Sequence, residues 1–319
     1  MSVTPEVDAV LQLMFGYANK RQRVLKDQGL RFAHYTSAEV AAQVLLKQNI
    51  WMRNASSMND YMEFTFGSEC LKASLRVHGA RFKAALEVAR PKLCEEVLDW
   101  LWRSNFNHQH HTYLTAMSEH APDDELGLLS MWRAYGGPVA GVALVFNTDF
   151  LDIDSNELAA WSSPVLYGDV EFASAFEGTV QRLEQNPAAV RGIDPDFLKS
   201  IVYNALMFAI ISAKHIGFRE EREWRVIHLP KEFSSAWVQP TFETVRGKPE
   251  LVYHLPLANQ QGMNLPQIDL NRLLHRVVIG PCQNPYQVAS TFEDILQSLH
   301  IDNPGDRIRM SHIPLRQLG

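Results

Sequence analysis

The 319-residue sequence has few cysteines and lacks the short motifs that identify several common catalytic folds. Its three cysteines, Cys70, Cys94 and Cys282, include no C-x-x-C pair. We therefore expect no disulfide framework, and we expect the protein to lie in a reducing compartment, the cytoplasm. The sequence contains no Walker loop, G-x-G-x-x-G, G-x-S-x-G or H-E-x-x-H segment. This argues against P-loop, dinucleotide-dehydrogenase, α/β-hydrolase and zincin chemistry.

The sequence also has no apolar stretch of membrane-spanning length. Its longest apolar run, residues 201–213, is interrupted by Tyr203 and Asn204 and predicts a buried helix. The N-terminus does not show the basic-then-apolar pattern of a secretory signal, so we expect none. The net charge of −6 argues against a basic, nucleic-acid-binding surface over the whole protein but leaves open a local basic groove. No membrane partner is expected.

The order of the apolar patterns predicts an α+β fold. Thr4-Pro5 opens a helix that stops before Gly29, so residues 1–29 are predicted as an N-terminal helix. Residues 30–319 are predicted as a single α+β domain with helical insertions. Several strands follow one another in the second half, which favours a mostly antiparallel or mixed sheet flanked by helices. The main predicted strands cover 30–35, 112–118, 139–146, 165–172, 223–229, 250–255 and 275–279, and the main predicted helices cover 80–103, 123–135, 194–216 and 286–300.

A first polar cluster lies near the start of the predicted domain. His34 stands near the end of a short strand, and Thr36 and Glu39 form a T-x-x-E capping box that opens a helix. Polar residues at element ends are where a fold exposes side chains for chemistry. His34 is interpreted either as a structural hydrogen-bonding residue or as a site residue. The segment Asn59-Asp60-x-x-Glu63 predicts either a helix cap with first-turn charges or a second part of the same site.

A second polar cluster, Glu221-Arg222-Glu223-Trp224-Arg225, interrupts an apolar strand pattern. Residues two apart in a strand point to the same face, so Glu221 and Glu223 are predicted as paired carboxylates, with Arg219 and Arg225 as neighbouring cations. Such a pair can hold a ribose hydroxyl and remove a proton from an acceptor. The alternative is a solvent-facing edge strand with salt bridges.

Aromatic and histidine residues give two further candidates. Trp132 and Tyr135 lie three apart on a predicted helix that ends in Gly-Gly, and they either belong to the core or stack on a planar ligand ring. The histidines 108, 110 and 111 lie in a predicted polar loop. They lack a closed four-ligand spacing, so no bound metal is predicted.

Taken in order, the motifs resemble a widespread bacterial family of domains of unknown function. The resemblance rests on His34-Tyr35-Thr36-Ser37, Asn59-Asp60-x-x-Glu63, Met131-Trp132-x-x-Tyr135, Glu221-x-Glu223-Trp224-Arg225 and Val278-Ile279-Gly280-Pro281, and it covers residues 30–315. The first segment also resembles ADP-ribosyltransferases of the histidine-tyrosine-glutamate type.

The second resemblance implies a split, mostly antiparallel β core that binds NAD as its substrate. By it, His34 would bind a ribose hydroxyl, Tyr135 would stack on nicotinamide and Glu223 would be the catalytic glutamate of a Glu-x-Glu pair. Breaking the nicotinamide–ribose bond makes an oxocarbenium-like centre, which a nearby carboxylate stabilises.

Three function hypotheses follow. The first is an NAD-dependent ADP-ribosyltransferase, a toxin or phage-defence effector that modifies a protein or nucleic acid. Its catalytic residues would be Glu223, Glu221 and His34, and its NAD-binding residues would be His34, Tyr35, Thr36, Arg53, Asn59, Asp60, Glu63, Trp132, Tyr135 and Arg225. The second is a non-catalytic domain that binds a nucleotide or nucleic acid through His34, Arg53 and Arg225. The third is a metal-dependent nuclease that uses Asp60, Glu63 and the histidines.

Overall fold

The structure is a computed structural model that describes residues 4–57, 63–137, 139–153, 155–245 and 247–314. Its mixture of helices with a mixed, mostly antiparallel sheet confirms the predicted α+β class. The helices are α1 (Pro5–Met14), α2 (Gly16–Asp27), α3 (Ala38–Lys47), α4 (Glu63–Leu86), α5 (Leu93–His111), α6 (Leu129–Tyr135), α7 (Ser155–Leu158), α8 (Gly168–Gln185), α9 (Pro187–Arg191), α10 (Pro195–Ile211), α11 (Leu270–Leu273) and α12 (Pro285–Ser298).

The strands alternate with these helices without a regular βαβ rhythm. They are β1 (Arg31–Ser37), β2 (Asn49–Asn54), β3 (Tyr113–His120), β4 (Ala140–Phe146), β5 (Ala160–Pro164), β6 (Leu166–Tyr167), β7 (Ala213–Lys214), β8 (Glu223–His228), β9 (Gln239–Val245), β10 (Lys248–Pro256), β11 (Leu274–Cys282) and β12 (Ile308–Met310).

The chain divides into two compact units, each built from three separate segments. The first unit contains Met1–Val24, Ala55–His111 and Ser163–Arg219, and the second contains Leu25–Asn54, Thr112–Ser162 and Glu220–Gly319.

The first unit is mainly helical. Helix α4 packs against α8 and α10, and the short strands β6 and β7 pair in parallel. Asp194 caps α10 by accepting hydrogen bonds from the main-chain N–H groups of Asp196 and Phe197, as expected for an acidic N-cap before proline. Most of the α10 side chains are buried, which agrees with the apolar run in the sequence.

Three predictions for this unit are wrong. The long helix predicted over 80–103 is two helices, α4 and α5, separated at residues 87–92. Pro91 disfavours the helical conformation at Arg90, and Lys92 has a left-handed φ of +67°. The predicted His-rich loop instead continues α5 as far as His111. The N-terminal helix predicted over 1–29 is also two helices, α1 and α2.

The second unit contains the sheet. Its strand order is β12-β11-β4-β1-β3-β2-β10-β9, and β8 pairs with β3 and β5. Along this path every pair is antiparallel except β11 with β12.

The sheet opens between β1 and β2, because both pair with the same edge of β3 at different ends. Strand β1 pairs with the end of β3, from Ala33 opposite Ser118 to Arg31 opposite His120. Strand β2 pairs with its beginning, where Arg53 lies opposite Leu114. Residues 115–117 of β3 lie between the two ladders, while β8 pairs along the other edge.

The two faces of this sheet carry different side chains. The Phe32 face packs Phe32, Met117 and Trp224 into the large core, with the Phe32 and Trp224 ring centroids 5.4 Å apart. The Tyr35 face carries Ala33 and Tyr35, which pack against helix α6. We use these two names for the faces throughout.

Two local predictions for the second unit need correction. The helix predicted over 123–135 contains only α6, because residues 121–128 form a loop in which the Asp124 carboxylate accepts from the N–H groups of Leu126 and Gly127. Such local bonds compete with helix formation. The N-cap of α3 is Ser37, whose hydroxyl accepts from the Val40 N–H, rather than Thr36.

Among the described residues, no helix is both long enough and apolar enough to cross a bilayer.

The crossing of α4 and α10 depends on a glycine. A methyl group at Gly67 would overlap the main-chain carbonyl of Ile210. We therefore predict that Gly67→Ala lowers the free energy of unfolding by about 1–3 kcal/mol, as overpacking does. Gly79→Ala on the same helix should raise it by up to about 1 kcal/mol, because its nearest neighbour would be 3.9 Å away and alanine favours helices. Urea titrations of the two variants measure the difference, and equal shifts would contradict this packing.

Candidate functional site

His34 makes a structural hydrogen bond at the opening of the sheet. Its Nδ1 lies 3.0 Å from the main-chain oxygen of Ala116, in the stretch of β3 that neither β1 nor β2 pairs with. The imidazole thus replaces a missing main-chain partner. Burial lowers the pKa of His34, against the effect of this hydrogen bond, so the ring is neutral at physiological pH.

Glu223 and Arg225 form a buried ion pair on β8. Arg225 Nε donates to Glu223 Oε1 at 2.8 Å and Nη2 donates to Oε2 at 3.4 Å, and the two residues are 5% and 1% exposed. Glu223 lies opposite Ser118, which itself lies opposite Ala33. This register places the pair on the Tyr35 face, and the predicted pairing of Arg225 with Glu223 is confirmed.

Glu221 and Arg219 do not belong to that strand. Both lie in a 3₁₀ helix, Ile216–Glu221, that ends two residues before β8. Arg222 then adopts a left-handed φ of +44°. The strand alternation that predicted a Glu221–Glu223 pair therefore does not apply. Arg219 instead pairs with Glu171 at 2.8 Å, within the first unit.

His34 and Glu223 flank β3 but lie on opposite faces of the sheet. His34 is two residues from Phe32 and shares its face, whereas Glu223 precedes Trp224 and faces the other way. Two strand spacings separate them across the sheet, roughly 10 Å. The structure therefore does not place these two predicted catalytic residues in one pocket.

The predicted aromatic residues meet on the Tyr35 face. Tyr35 and Trp132 make an edge-to-face contact, with ring centroids 4.8 Å apart, and Tyr135 packs against the same cluster. Gly280 lies directly under the indole, where a methyl group would come within 2.7 Å of Trp132 Cε3. A side chain larger than that of glycine at position 280 would therefore displace the Trp132 ring.

The loop 121–128 is fixed to these aromatic rings. The Tyr35 hydroxyl accepts from the Leu128 N–H at 2.9 Å, and Trp132 Nε1 donates to the Leu126 carbonyl at 2.9 Å. Burial, the largest cause, raises the pKa of Tyr35 to about 12, so the phenol stays protonated. Trp132 and Tyr35 are both almost fully buried, so stacking on a ligand ring requires this loop to move.

The remaining predicted residues are dispersed. Thr36 is half-buried near the end of β1, on the Phe32 face. Arg53 holds Glu250 with two hydrogen bonds of 3.0 and 2.9 Å. Asn59 and Asp60 lie outside the described residues, and Glu63 begins α4 with its side chain outside them. Their roles remain predictions.

Sequence reasoning missed a cationic cluster on the Tyr35 face. It contains Arg31, His120, His275 and Arg276, from strands β1, β3 and β11. Burial and then the charges of Arg31 and Arg276 lower the pKa of His275 to about 4. Strand β11 carries His275 and Arg276 side by side before an apolar run, and this pair was the only sequence signal of the cluster.

Two other types of site find little support in the described part of the chain. No group of three or more His, Cys, Asp or Glu side chains there is arranged to hold a metal ion. A cavity of about 50 Å³ lies on the Phe32 face, lined chiefly by apolar side chains such as Met117, Phe146, Val226 and Leu255. Pockets for small-molecule ligands are typically about 300–1,000 Å³, so this cavity is too small for a nucleotide.

The depressed pKa of His275 predicts a pH dependence of stability. Its folded-state value of about 4 lies below the ordinary 6.5, so the unfolded chain takes up the proton first as the pH falls. The contribution of His275 to the free energy of unfolding is therefore fully present above about pH 6.5 and is lost as the pH falls towards 4. We expect His275→Gln to flatten the decline between pH 7 and pH 5, measured by urea unfolding. His300→Gln, at an exposed position, should leave it unchanged. Parallel profiles for wild type and His275→Gln would contradict this account.

The buried ion pair predicts a large stability difference between two arginine variants. Arg225→Met leaves the Glu223 carboxylate buried without this cation and should lower the free energy of unfolding by about 3–5 kcal/mol. Arg53→Met removes a half-exposed pair with Glu250 and should cost about 1 kcal/mol or less. Chemical denaturation at neutral pH compares the free energies of unfolding of the two variants. A smaller loss for Arg225→Met than for Arg53→Met would contradict the burial of the Glu223–Arg225 pair.

One known protein family matches part of the chain, and the matched part includes two of the motifs described above. Residues 131–226 match the family model described as "Protein of unknown function (DUF2971)". The match begins at Met131 and ends just after Arg225, so it contains the Trp132 and Glu223 motifs. Neither the curated proteins nor the solved structures gave a match to the chain. This match covers less than a third of the chain and supports a relation to a family of domains of unknown function.

Proposed function

We propose that the second unit binds an NAD-type nucleotide on its Tyr35 face and that Glu223 acts on its nicotinamide ribose, as in ADP-ribosyl transfer. One observation carries this proposal. Tyr35, Trp132, Glu223 and Arg225 are far apart in the sequence, yet all four contribute to the same face of one sheet. A carboxylate and flat aromatic rings are the groups that this chemistry uses.

The buried position of Glu223 suits the charge that develops during the reaction. Cleavage of the nicotinamide–ribose bond gives an oxocarbenium-like centre, and a fixed carboxylate stabilises it more strongly where water is excluded. Arg225 holds the Glu223 carboxylate in place through a 2.8 Å hydrogen bond and balances its charge. The rings of Tyr35 and Trp132 lie on the same face of the sheet and would offer apolar surface to a ligand once the loop 121–128 moves.

This proposal assigns His34 a different role from the one that the resemblance implied. His34 lies on the opposite face and bonds to β3, so it positions the strand that separates it from Glu223. Glu221 lies off β8 and is not part of the proposed reacting centre.

A second candidate function is binding of a nucleotide without turnover. The geometry of the ion pair favours it, because Arg225 contacts both carboxylate oxygens of Glu223 and occupies hydrogen-bonding positions that a ribose would need. In this case the same face would hold the nucleotide, and Glu223 would only balance the charge of Arg225.

Glu223→Gln provides the test of turnover. It keeps the side-chain volume and removes the negative charge, so nicotinamide release from NAD should fall by about a hundredfold or more while NAD binding persists. Because the substitution leaves Arg225 buried with a neutral partner, near-UV circular dichroism must first show that the variant is folded at the assay temperature. Release of nicotinamide by hydrolysis needs no knowledge of the acceptor.

Glu221→Gln is the matched control, because it removes a carboxylate two residues away and should reduce turnover less. Equal turnover by the wild type and the folded Glu223→Gln variant would exclude Glu223 from the chemistry. NAD binding by the wild type without any nicotinamide release would favour the second candidate. Absence of both binding and release would contradict the proposal.

A further inference from the structure

One end of the Tyr35 face carries a group of basic side chains that the proposed reaction does not use. Arg31 begins β1 and lies opposite His120, the last residue of β3. Arg276 on β11 lies opposite Val145, which lies opposite Ala33. Arg31, His120 and Arg276 therefore project from the same face of the sheet, although β4 lies between β11 and β1. Burial, and more weakly the charges of the two arginines, lower the pKa of His120.

Several polar atoms in this group are buried without a hydrogen-bond partner in the described part of the chain. His120 is 2% exposed, and neither of its ring nitrogens is hydrogen-bonded; Nδ1 is 3.6 Å from Asp124 Oδ2, too far for a hydrogen bond. Arg276 Nη1 and His275 Nε2 are also unpartnered. A buried polar group left in this way destabilises the fold, so a ligand that supplied hydrogen-bond partners to these atoms would bind with that advantage.

The charge around these atoms is positive and incompletely balanced. Burial, together with the nearby Arg309 and Arg31, lowers the pKa of Arg276. The acidic groups that face the cluster are Asp124 and Glu125. Asp124 Oδ1 is occupied by two main-chain N–H groups of its loop, and Glu125 pairs with Arg309 at 3.7 Å.

Within the described ranges, the two central arginines have no acidic partner. Arg31 donates to the side-chain oxygen of Asn147 at 3.3 Å, and neither Arg31 nor Arg276 lies within ion-pair distance of a carboxylate among the described residues. The fourth arginine of the region, Arg307, is satisfied by main-chain carbonyls, including that of Asp302 at 2.9 Å. Two guanidinium groups thus remain available for a ligand.

We propose that Arg31, His120 and Arg276 form a binding site for a phosphate-type oxyanion. Guanidinium groups present planar pairs of N–H donors that match phosphate oxygens, and the N–H group of the imidazole adds a further donor. A metal cation would be repelled, and a neutral ligand would leave the arginine charges unbalanced. His120 is buried, whereas Arg31, His275 and Arg276 are only half-buried, so the site is accessible from their side.

The site also suits the nucleotide of the proposed function, on which this extension rests. His120 is two residues along β3 from Ser118, and Ser118 lies opposite Glu223. From standard strand geometry the His120 and Glu223 α-carbons are roughly 8 Å apart. A dinucleotide pyrophosphate at the arginines would therefore bring its ribose near Glu223.

Inorganic phosphate and pyrophosphate are the probes, because they test the oxyanion site without any nucleotide. We expect pyrophosphate to bind the wild-type protein by isothermal titration calorimetry at low ionic strength, more tightly than phosphate. The bound anion should raise the pKa values of His120 and His275, measured from their imidazole NMR resonances. Wild-type protein that shows neither heat nor histidine shifts would overturn the proposal, whatever the variants do.

Arg276→Gln should weaken pyrophosphate binding by at least about tenfold, the loss expected when a hydrogen bond to a charged group is removed. Arg272→Gln is the matched control, since Arg272 is exposed, pairs with Asp149 at 2.7 Å and should leave the affinity unchanged. Arg31→Gln provides a second variant of the site if Arg276→Gln does not fold. Unchanged binding by a folded site variant would contradict the assignment.

NAD and ADP-ribose distinguish this inference from the proposed function. Pyrophosphate binding that depends on Arg276, without binding of either nucleotide, would retain the oxyanion site and remove the proposed function. NAD binding that Arg276→Gln leaves unchanged would retain the proposed function and place the pyrophosphate elsewhere.

Discussion

The main-chain hydrogen bonds of β3 are the constraint on which the second unit depends. One edge of this strand pairs with β8, while the other is shared between β2 at its beginning and β1 at its end. Residues 115–117 would be left without partners on that edge. A buried carbonyl without a partner is costly, and the His34 imidazole bonds to that of Ala116. An uncharged, hydrogen-bonding ring on β1 lets the sheet open at this point without leaving that carbonyl unsatisfied.

Strand β8 shows how charged residues can occupy the interior of such a sheet. Trp224 points into the core and donates to the buried Glu119 carboxylate at 2.9 Å, while its neighbours Glu223 and Arg225 point to the other face. Both faces of the strand are buried, so the two charges must satisfy each other. A buried ion pair of this kind is weak evidence for stability, because apolar residues of similar size commonly pack as well. Its presence on the Tyr35 face is the reason to look for a function there.

The sequence predicted best where apolar residues form long runs and worst where single residues decide the geometry. Strand β4 and helix α10 were predicted near their observed positions, because continuous burial requires a continuous apolar pattern. The Glu221–Glu223 pair failed because Arg222 takes a left-handed conformation, which strand alternation cannot foresee. The candidate site was predicted in part. The aromatic residues and the Glu223–Arg225 pair do share a face of the sheet. His34 lies on the other face, and this could be known only from the strand register.

The cationic cluster was missed for a physical reason that applies to many binding sites. Arg31, His120 and Arg276 come from three strands and are separated by long stretches of sequence, so no local spacing connects them. Only the sheet register makes them neighbours. Their charge reduces stability as long as nothing neutralises it, since desolvation lowers the pKa of both Arg31 and Arg276. A bound oxyanion would remove that cost and would bind the folded protein alone, so its affinity would add directly to the stability of the sheet. In this arrangement the residues that weaken the empty fold are the ones that define its ligand.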